Sequence, residues 1–229
     1  EGGAPAPEPA RAEVEGEAPG ELPLAQRRTR PPHDGDAEQH AEREVQQARE
    51  DGRITSVPYD PELLVDTDWD LGVGDDTAIV FSQTSPGGEV RLIDYEAARG
   101  VGLDHYVQVL RDRRYTYGDH WAPHDIEVRE FTSGHSRWDT ASKLGLHFRI
   151  TPKNQQLEDG IHAARMLFRK CWFDHKNAHA LVEALQHYHW DYNTRIHEVK
   201  ALPVHDWSSH GADAFRGLAT RHMSRRRHP

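Results

Sequence analysis

Three aspartates and a histidine in this sequence have the types and spacing that metal chemistry needs. His210 and Asp213, in HDWSSHGADAF at 205–215, lie three positions apart at what reads as the start of a helix. Residues three apart on a helix share a face, so an imidazole and a carboxylate converge there. Asp70 in WDLG (69–72) and Asp125 in PHD (123–125) stand at the ends of segments that read as strands. Carboxylates brought from distant parts of the chain suit Mg²⁺ or Mn²⁺, which take oxygen ligands and water with few protein ligands. Two such ions about 3.5–4 Å apart supply an activated water and stabilise a leaving oxygen, as phosphodiester hydrolysis requires. A carboxylate on a central strand would bridge the pair, with acids from a neighbouring strand and a helix completing it. Asp70, Asp125 and Asp213 fit those roles, and His210 is a candidate metal ligand or water-orienting group.

Each of these residues also has a plainer reading. Asp70 can cap a turn before Gly72, and Asp125 can form an Asx-turn after Pro123. Asp213 falls inside a helix, where Asp has poor propensity, so solvent exposure is its alternative. His210 is one of 17 histidines, among which a chance neighbour to an acid is unsurprising. Asp68 projects to the same sheet face as Asp70 and is the runner-up for the first ligand, with a supporting or exposed role as the default. Asp75 and Asp76 read as turn residues opening the next strand, and Asp206 and Ser208 as caps of the final helix. His124, His187 and His189 read as structural or surface residues, Trp69, Trp121, Trp172 and Trp207 as core, and the terminal RRRHP as a solvated tail.

The elements that must position these residues follow from periodicity and punctuation. Segments 63–69, 77–83 and 89–95 read as an antiparallel meander, with SPGG at 85–88 as its second turn. A helix is expected over 105–115, a short strand over 119–125, a helix over 138–145 stopped by Gly145, and a strand over 146–152. Two further helices are expected over 157–173 and 178–190, and a final one over 208–222 with Ala212, Phe215, Leu218 and Ala219 as its apolar stripe. A meander followed by alternating helix and strand defines an α/β domain with a mixed sheet flanked by helices. Ligands of such sheets gather at the carboxyl ends of strands, where Asp70 and Asp125 fall.

Composition bounds the rest. The 229 residues suffice for one large domain with an appendage. Residues 1–37 are rich in Glu, Pro, Ala and Gly and read as a disordered segment. Residues 38–51 carry strong helix formers but few apolar positions and read as a solvated helix. The expected division is therefore a linker over 1–52 and a folded domain over 53–229. The opening in mid-linker fits a piece of a longer chain. Of the net charge of −10, residues 1–60 contribute 14 acids against 7 bases, which leaves −3 for residues 61–229. The folded part is thus nearly balanced, compatible with a nucleic-acid enzyme that carries acids at its centre. The single cysteine, Cys171, excludes an intramolecular disulfide and a cysteine-rich zinc site. Neither a membrane span nor a signal peptide is readable, so a cytoplasmic protein is expected.

WDLGVGDDTAIVF (69–81), RLIDYEAARGVGLDHYVQVL (91–110), WAPHDIEVREF (121–131), EDGIHAAR (158–165) and HDWSSHGADAFRGLA (205–219) occur in this order. Together they resemble the nuclease domain of the tailed-bacteriophage terminase large subunit, over roughly residues 53–222. GRITSVPYDP (52–61) is similar to the segment that leads into that domain. The resemblance implies a ribonuclease-H-like fold and two-metal endonuclease cleavage of concatemeric double-stranded phage DNA in the cytoplasm of the bacterial host. By motif, Asp70 would be the bridging acid, Asp125 and Asp213 would complete the cluster, and His210 precedes the last acid. Implied partners are the terminase ATPase domain, the small terminase subunit and the portal protein, with no membrane. No G-x-x-x-x-G-K-[ST] phosphate loop occurs, so cutting without translocation is expected. Two other readings stay open: another ribonuclease-H-like nuclease of resolvase or transposase type, and a non-catalytic docking domain whose acids are surface charges.

Overall fold

Val65–Leu71 (β2), Asp76–Thr84 (β3) and Val90–Arg99 (β4) form the expected antiparallel meander. The turn at 85–88 is closed by Ser85 and Glu89, with Gly88 at a φ of +82° that favours glycine. Ile54–Thr55 (β1) and Cys171–Asp174 (β7) extend the sheet in parallel beyond β4. Tyr117–Ala122 (β5) and Phe148–Ile150 (β6) extend it in parallel beyond β2. The sheet therefore runs β1-β7-β4-β3-β2-β5-β6, with β3 the strand that opposes its neighbours. The computed structural model describes residue 2 and residues 34–72, 76–128, 136–154, 156–193 and 198–227. Residues 1 and 3–33, where most of the expected disordered segment falls, lie outside the described residues.

Both faces of the sheet are covered, and the alternation along β3 shows how. Ala78 and Val80 point to one side, into a core shared with Phe215 and Leu218, whereas Ile79 and Phe81 point to the other, beside Tyr106 and Leu110. A strand buried on both faces reads as a continuous apolar run, as TAIVF does. One layer holds Leu103–Arg113 (α2) and Arg137–Lys143 (α3). The opposite layer holds Asp34–Glu50 (α1), Leu157–Phe168 (α4), His179–His187 (α5) and Trp207–Arg227 (α6). A mixed seven-stranded sheet flanked by helices is thus the architecture, in agreement with the α/β expectation. From residue 34 onward the described residues form one compact unit. Among the described residues, no helix is long and apolar enough to cross a membrane.

Four local expectations differ from the structure. The segment 157–173 is not one helix: α4 ends at Phe168, and after a turn Cys171–Asp174 becomes a strand inserted between β1 and β4. A short, fully buried apolar run looks the same as helix or strand by periodicity, and here sheet pairing decides. Strand β5 stops at Ala122 because Pro123 offers no N–H to the ladder, and His124–Glu127 coil into a single 3₁₀ turn. The helix α1 is not wholly solvated: Val45 and Ala48, three residues apart, are buried in the core beside α5. Finally, the helix expected over 178–190 ends at His187, and Trp190–Asn193 (β8) pairs with Glu198–Pro203 (β9) as a separate hairpin.

Candidate metal centre

Strand alternation aims the acids of β2. Val65, Trp69 and Leu71 bury toward α2 and α3, which turns Asp66, Asp68 and Asp70 toward α6 on the other face. Trp69 is held in place by its indole N–H, which donates to Thr67 Oγ1 at 2.7 Å. The helix α6 lies antiparallel to β2, so its first turns meet the carboxyl end of the strand and its later turns meet the start. Asp206 caps the helix, accepting from the Ser208 amide at 2.8 Å and the Ser208 hydroxyl at 2.6 Å.

Along this contact α6 presents three polar groups. His210 Nδ1–H donates to Asp70 Oδ2 at 2.9 Å, and its side chain is only 8 % exposed. Asp213, one turn on, accepts from Arg216 Nη2 at 2.8 Å and Nε at 3.3 Å, both through Oδ1. Arg221, three turns beyond His210, is fully buried. It pairs with both oxygens of Asp68, at 2.7 and 2.8 Å, and with Asp66 at 3.0 Å. Eleven helical residues rise about 16 Å, while Asp68 and Asp66 lie about 7 and 13 Å back along β2 from Asp70, a difference the long Arg221 side chain makes up.

Asp125 reaches the same region from another element. It lies in the 3₁₀ turn directly after β5, whose carboxyl end is beside that of β2 because the two strands are parallel. Asp70, Asp125 and Asp213 all line one cleft of about 460 Å³, together with His124, Lys153, Asn154 and Arg216. The three acids singled out from sequence therefore come together, while His210 stands behind Asp70. One ring nitrogen of His210 is engaged by Asp70, so a direct metal-ligand role would rest on the other. Burial, and then the charges of Asp213 and Asp125, push the Asp70 carboxyl above its usual range, against the pull of the His210 bond.

Such a concentration of negative charge suits a hard cation, and the donors are the oxygens that Mg²⁺ and Mn²⁺ prefer. In the arrangement shown, no three His, Cys, Asp or Glu side chains among the described residues are gathered into a ready ligand cluster. One reason is visible in Asp213, whose carboxylate is turned to Arg216. Asp68, the runner-up ligand, is committed to Arg221. Asp76 faces Arg99 at 3.9 Å, and Asp75 lies outside the described residues. Trp207 departs from expectation. It is 55 % exposed, because the first residue of α6 faces outward, where its ring lies tilted beside that of His187 with centroids 5.5 Å apart. Trp69 and Trp121 are buried as expected. Sequence reasoning passed over Arg216 and Arg221. For Arg216 the available signal was spacing, since it lies three residues after Asp213, whereas the partners of Arg221 lie 153 and 155 residues away.

No family model matches the sequence, and no curated protein matches it. Solved structures do. The nuclease domain of the P22 large terminase is 15 % identical with a TM-score of 0.55, over 76 % of this chain and 89 % of that one. The nuclease domain of the SPP1 large terminase, solved with bound Mn, is 15 % identical with a TM-score of 0.52, over 70 % and 86 %. The large terminase of a thermophilic bacteriophage, solved in complex with ADP, is 15 % identical with a TM-score of 0.54 over 73 % of this chain. The present chain spans only 42 % of that protein. The chain thus has the fold of terminase large-subunit nuclease domains.

Proposed function

We propose that this chain is the metal-dependent endonuclease domain of a viral genome-packaging terminase, which cleaves concatemeric double-stranded DNA. The observation that carries the reading is the single cleft lined by three carboxylates, Asp70, Asp125 and Asp213, each from a different element. The fold shared with terminase nuclease domains, one of them solved with Mn, supports it. Asp70 would hold Mg²⁺ or Mn²⁺ at the end of β2, with Asp125 and Asp213 completing the ligands of two ions. Such ions, when bound, activate a water and stabilise the leaving oxygen. His210 fixes the Asp70 carboxylate through its Nδ1–H, the kind of outer contact that orients a ligand. Lys153 on the cleft wall offers a cation to a DNA phosphate. The reading places the protein in the cytoplasm of the bacterial host. The terminase ATPase domain, the small subunit and the portal would deliver DNA to it.

Asp70→Ala tests this directly. Plasmid cleavage in Mg²⁺ or Mn²⁺ should vanish in the variant while its thermal unfolding stays cooperative. Full cleavage by Asp70→Ala would sink the assignment. Cleavage confined to four-way junctions or RNA–DNA hybrids would instead favour the resolvase-type reading.

A further inference from the structure

Two arginines on α6 hold aspartates, and they do so in different ways. Arg221 grips Asp68 with two donors on two oxygens, and both side chains are 1 % exposed. That is the fork-to-fork geometry of a locked pair. Arg216 instead places both of its donors on one oxygen of Asp213, with each side chain 29 % exposed at the cleft. The head of Arg216 is thus loosely held, but its stem is not. It crosses α4 at Gly160, where an added Cβ would stand 2.6 Å from Asn154 Nδ2, 2.9 Å from Arg216 Cδ and 3.0 Å from Arg216 Cγ. Gly160 is the glycine of the EDGIHAAR segment, which leaves room there for the side chains of both Asn154 and Arg216 at the cleft.

Both Arg216 donors sit on Asp213 Oδ1, so a divalent cation arriving at the same carboxylate meets a guanidinium of like charge a few ångströms away, and each weakens the hold of the other. We infer that Arg216 is an exchange residue, which competes with a divalent cation for Asp213 and, once displaced, binds a phosphate of the DNA substrate. The inference rests on the metal-site reading above and adds a substrate-binding group to it. The planar fork of arginine suits phosphate, and the stem seated on Gly160 keeps the freed head beside Asp70 and Asp125. No covalent step is involved; one ionic contact replaces another.

The test uses the full chain as wild type, Arg216→Gln and Arg216→Lys, first with Mn²⁺ titrated by calorimetry. Removing the competitor should tighten Mn²⁺ binding in Arg216→Gln by roughly 1.5- to 5-fold, the worth of a partly exposed ion pair. Binding of a short DNA duplex is then measured against salt, in Ca²⁺ and in EDTA, with the DNA checked for integrity. In Ca²⁺, Arg216→Gln should lose about 0.9 from the slope of log affinity against log salt, one phosphate contact, and Arg216→Lys should keep it. In EDTA the wild type and Arg216→Gln should have the same slope, because Asp213 retains the guanidinium. A wild type that binds Mn²⁺, with Arg216→Gln unchanged in Mn²⁺ affinity or in its Ca²⁺ slope, overturns this inference alone. A wild type that binds no Mn²⁺ overturns the metal site and this inference with it.

Discussion

Replacing Arg221 by methionine should destabilise the fold strongly, and by an amount that depends on pH. Arg221 makes three short bonds to carboxylates and one of 3.3 Å to Ser82, and its guanidinium lies 5.5 Å over the Trp121 ring. Without it Asp68, buried between β2 and α6, has lost its counter-charge. It must then stay charged in a dry site or take up a proton. Taking a proton at pH 7 from an ordinary aspartate pKa costs about 4 kcal/mol. This falls within the ~3–5 kcal/mol typical of breaking a buried ion pair. In the variant the folded-state pKa of Asp68 is raised above its unfolded value. The deficit should therefore be full at pH 7 and shrink to about 0.5 kcal/mol as pH falls toward 4, where roughly half of the unfolded chain is protonated as well. Urea unfolding followed by tryptophan fluorescence at pH 7 and pH 4 measures both numbers. The double variant Asp68→Leu with Arg221→Met should recover most of the loss, because the buried charge goes with its partner and Asp66, which also loses Arg221, is 18 % exposed and keeps the Asp119 amide. A deficit below about 1 kcal/mol at pH 7, or one independent of pH, would refute the reasoning.

Two further outcomes follow from packing against the sheet. Gly211 follows His210 on α6, and a Cβ added there would stand 2.9 Å from Tyr95 Oη and 3.0 Å from Ala184 Cβ. Although alanine is the better helix former, Gly211→Ala should lose about 1–3 kcal/mol, and adding Tyr95→Phe should return part of it in thermal unfolding. Burial lowers the His120 pKa to about 4, against the pull of Asp66 and Asp119. The unfolded chain thus binds the extra proton first as pH falls. Stability from this group is complete above about pH 6.5 and is lost toward pH 4, by up to about 3 kcal/mol. His120→Asn should show a smaller fall in urea midpoint between pH 7 and 4.5 than the wild type does; an equal fall would contradict this.

What could be read from the sequence was whatever depends on local pattern. TAIVF announces a strand buried on both faces, and WDLG and PHD mark the strand ends that bring Asp70 and Asp125 to one cleft. Asp213 was visible because an aspartate is a poor choice inside a helix. Long-range contacts were not legible in the same way. Arg221 becomes meaningful only when α6 lies antiparallel to β2, a relation that no local pattern carries. Two apolar residues, Val45 and Ala48, are enough to dock α1 on the core, too few to register as an amphipathic stripe. The strand Cys171–Asp174 was hidden because it follows a helix of similar apolar character after a turn of only two residues. His210 is a candidate ligand or water-orienting group on the sequence alone, and its contact with Asp70 required the two elements to be placed together.

The central claim is that Asp70, Asp125 and Asp213 share divalent cations. A crystal structure of the chain soaked in Mn²⁺, with anomalous data collected at the manganese edge, tests it most directly. The account predicts two anomalous peaks in the cleft, with Asp70 between them, Asp125 and Asp213 as further ligands, and Asp213 turned away from Arg216. Manganese bound elsewhere, with no peak at these three carboxylates, would contradict it.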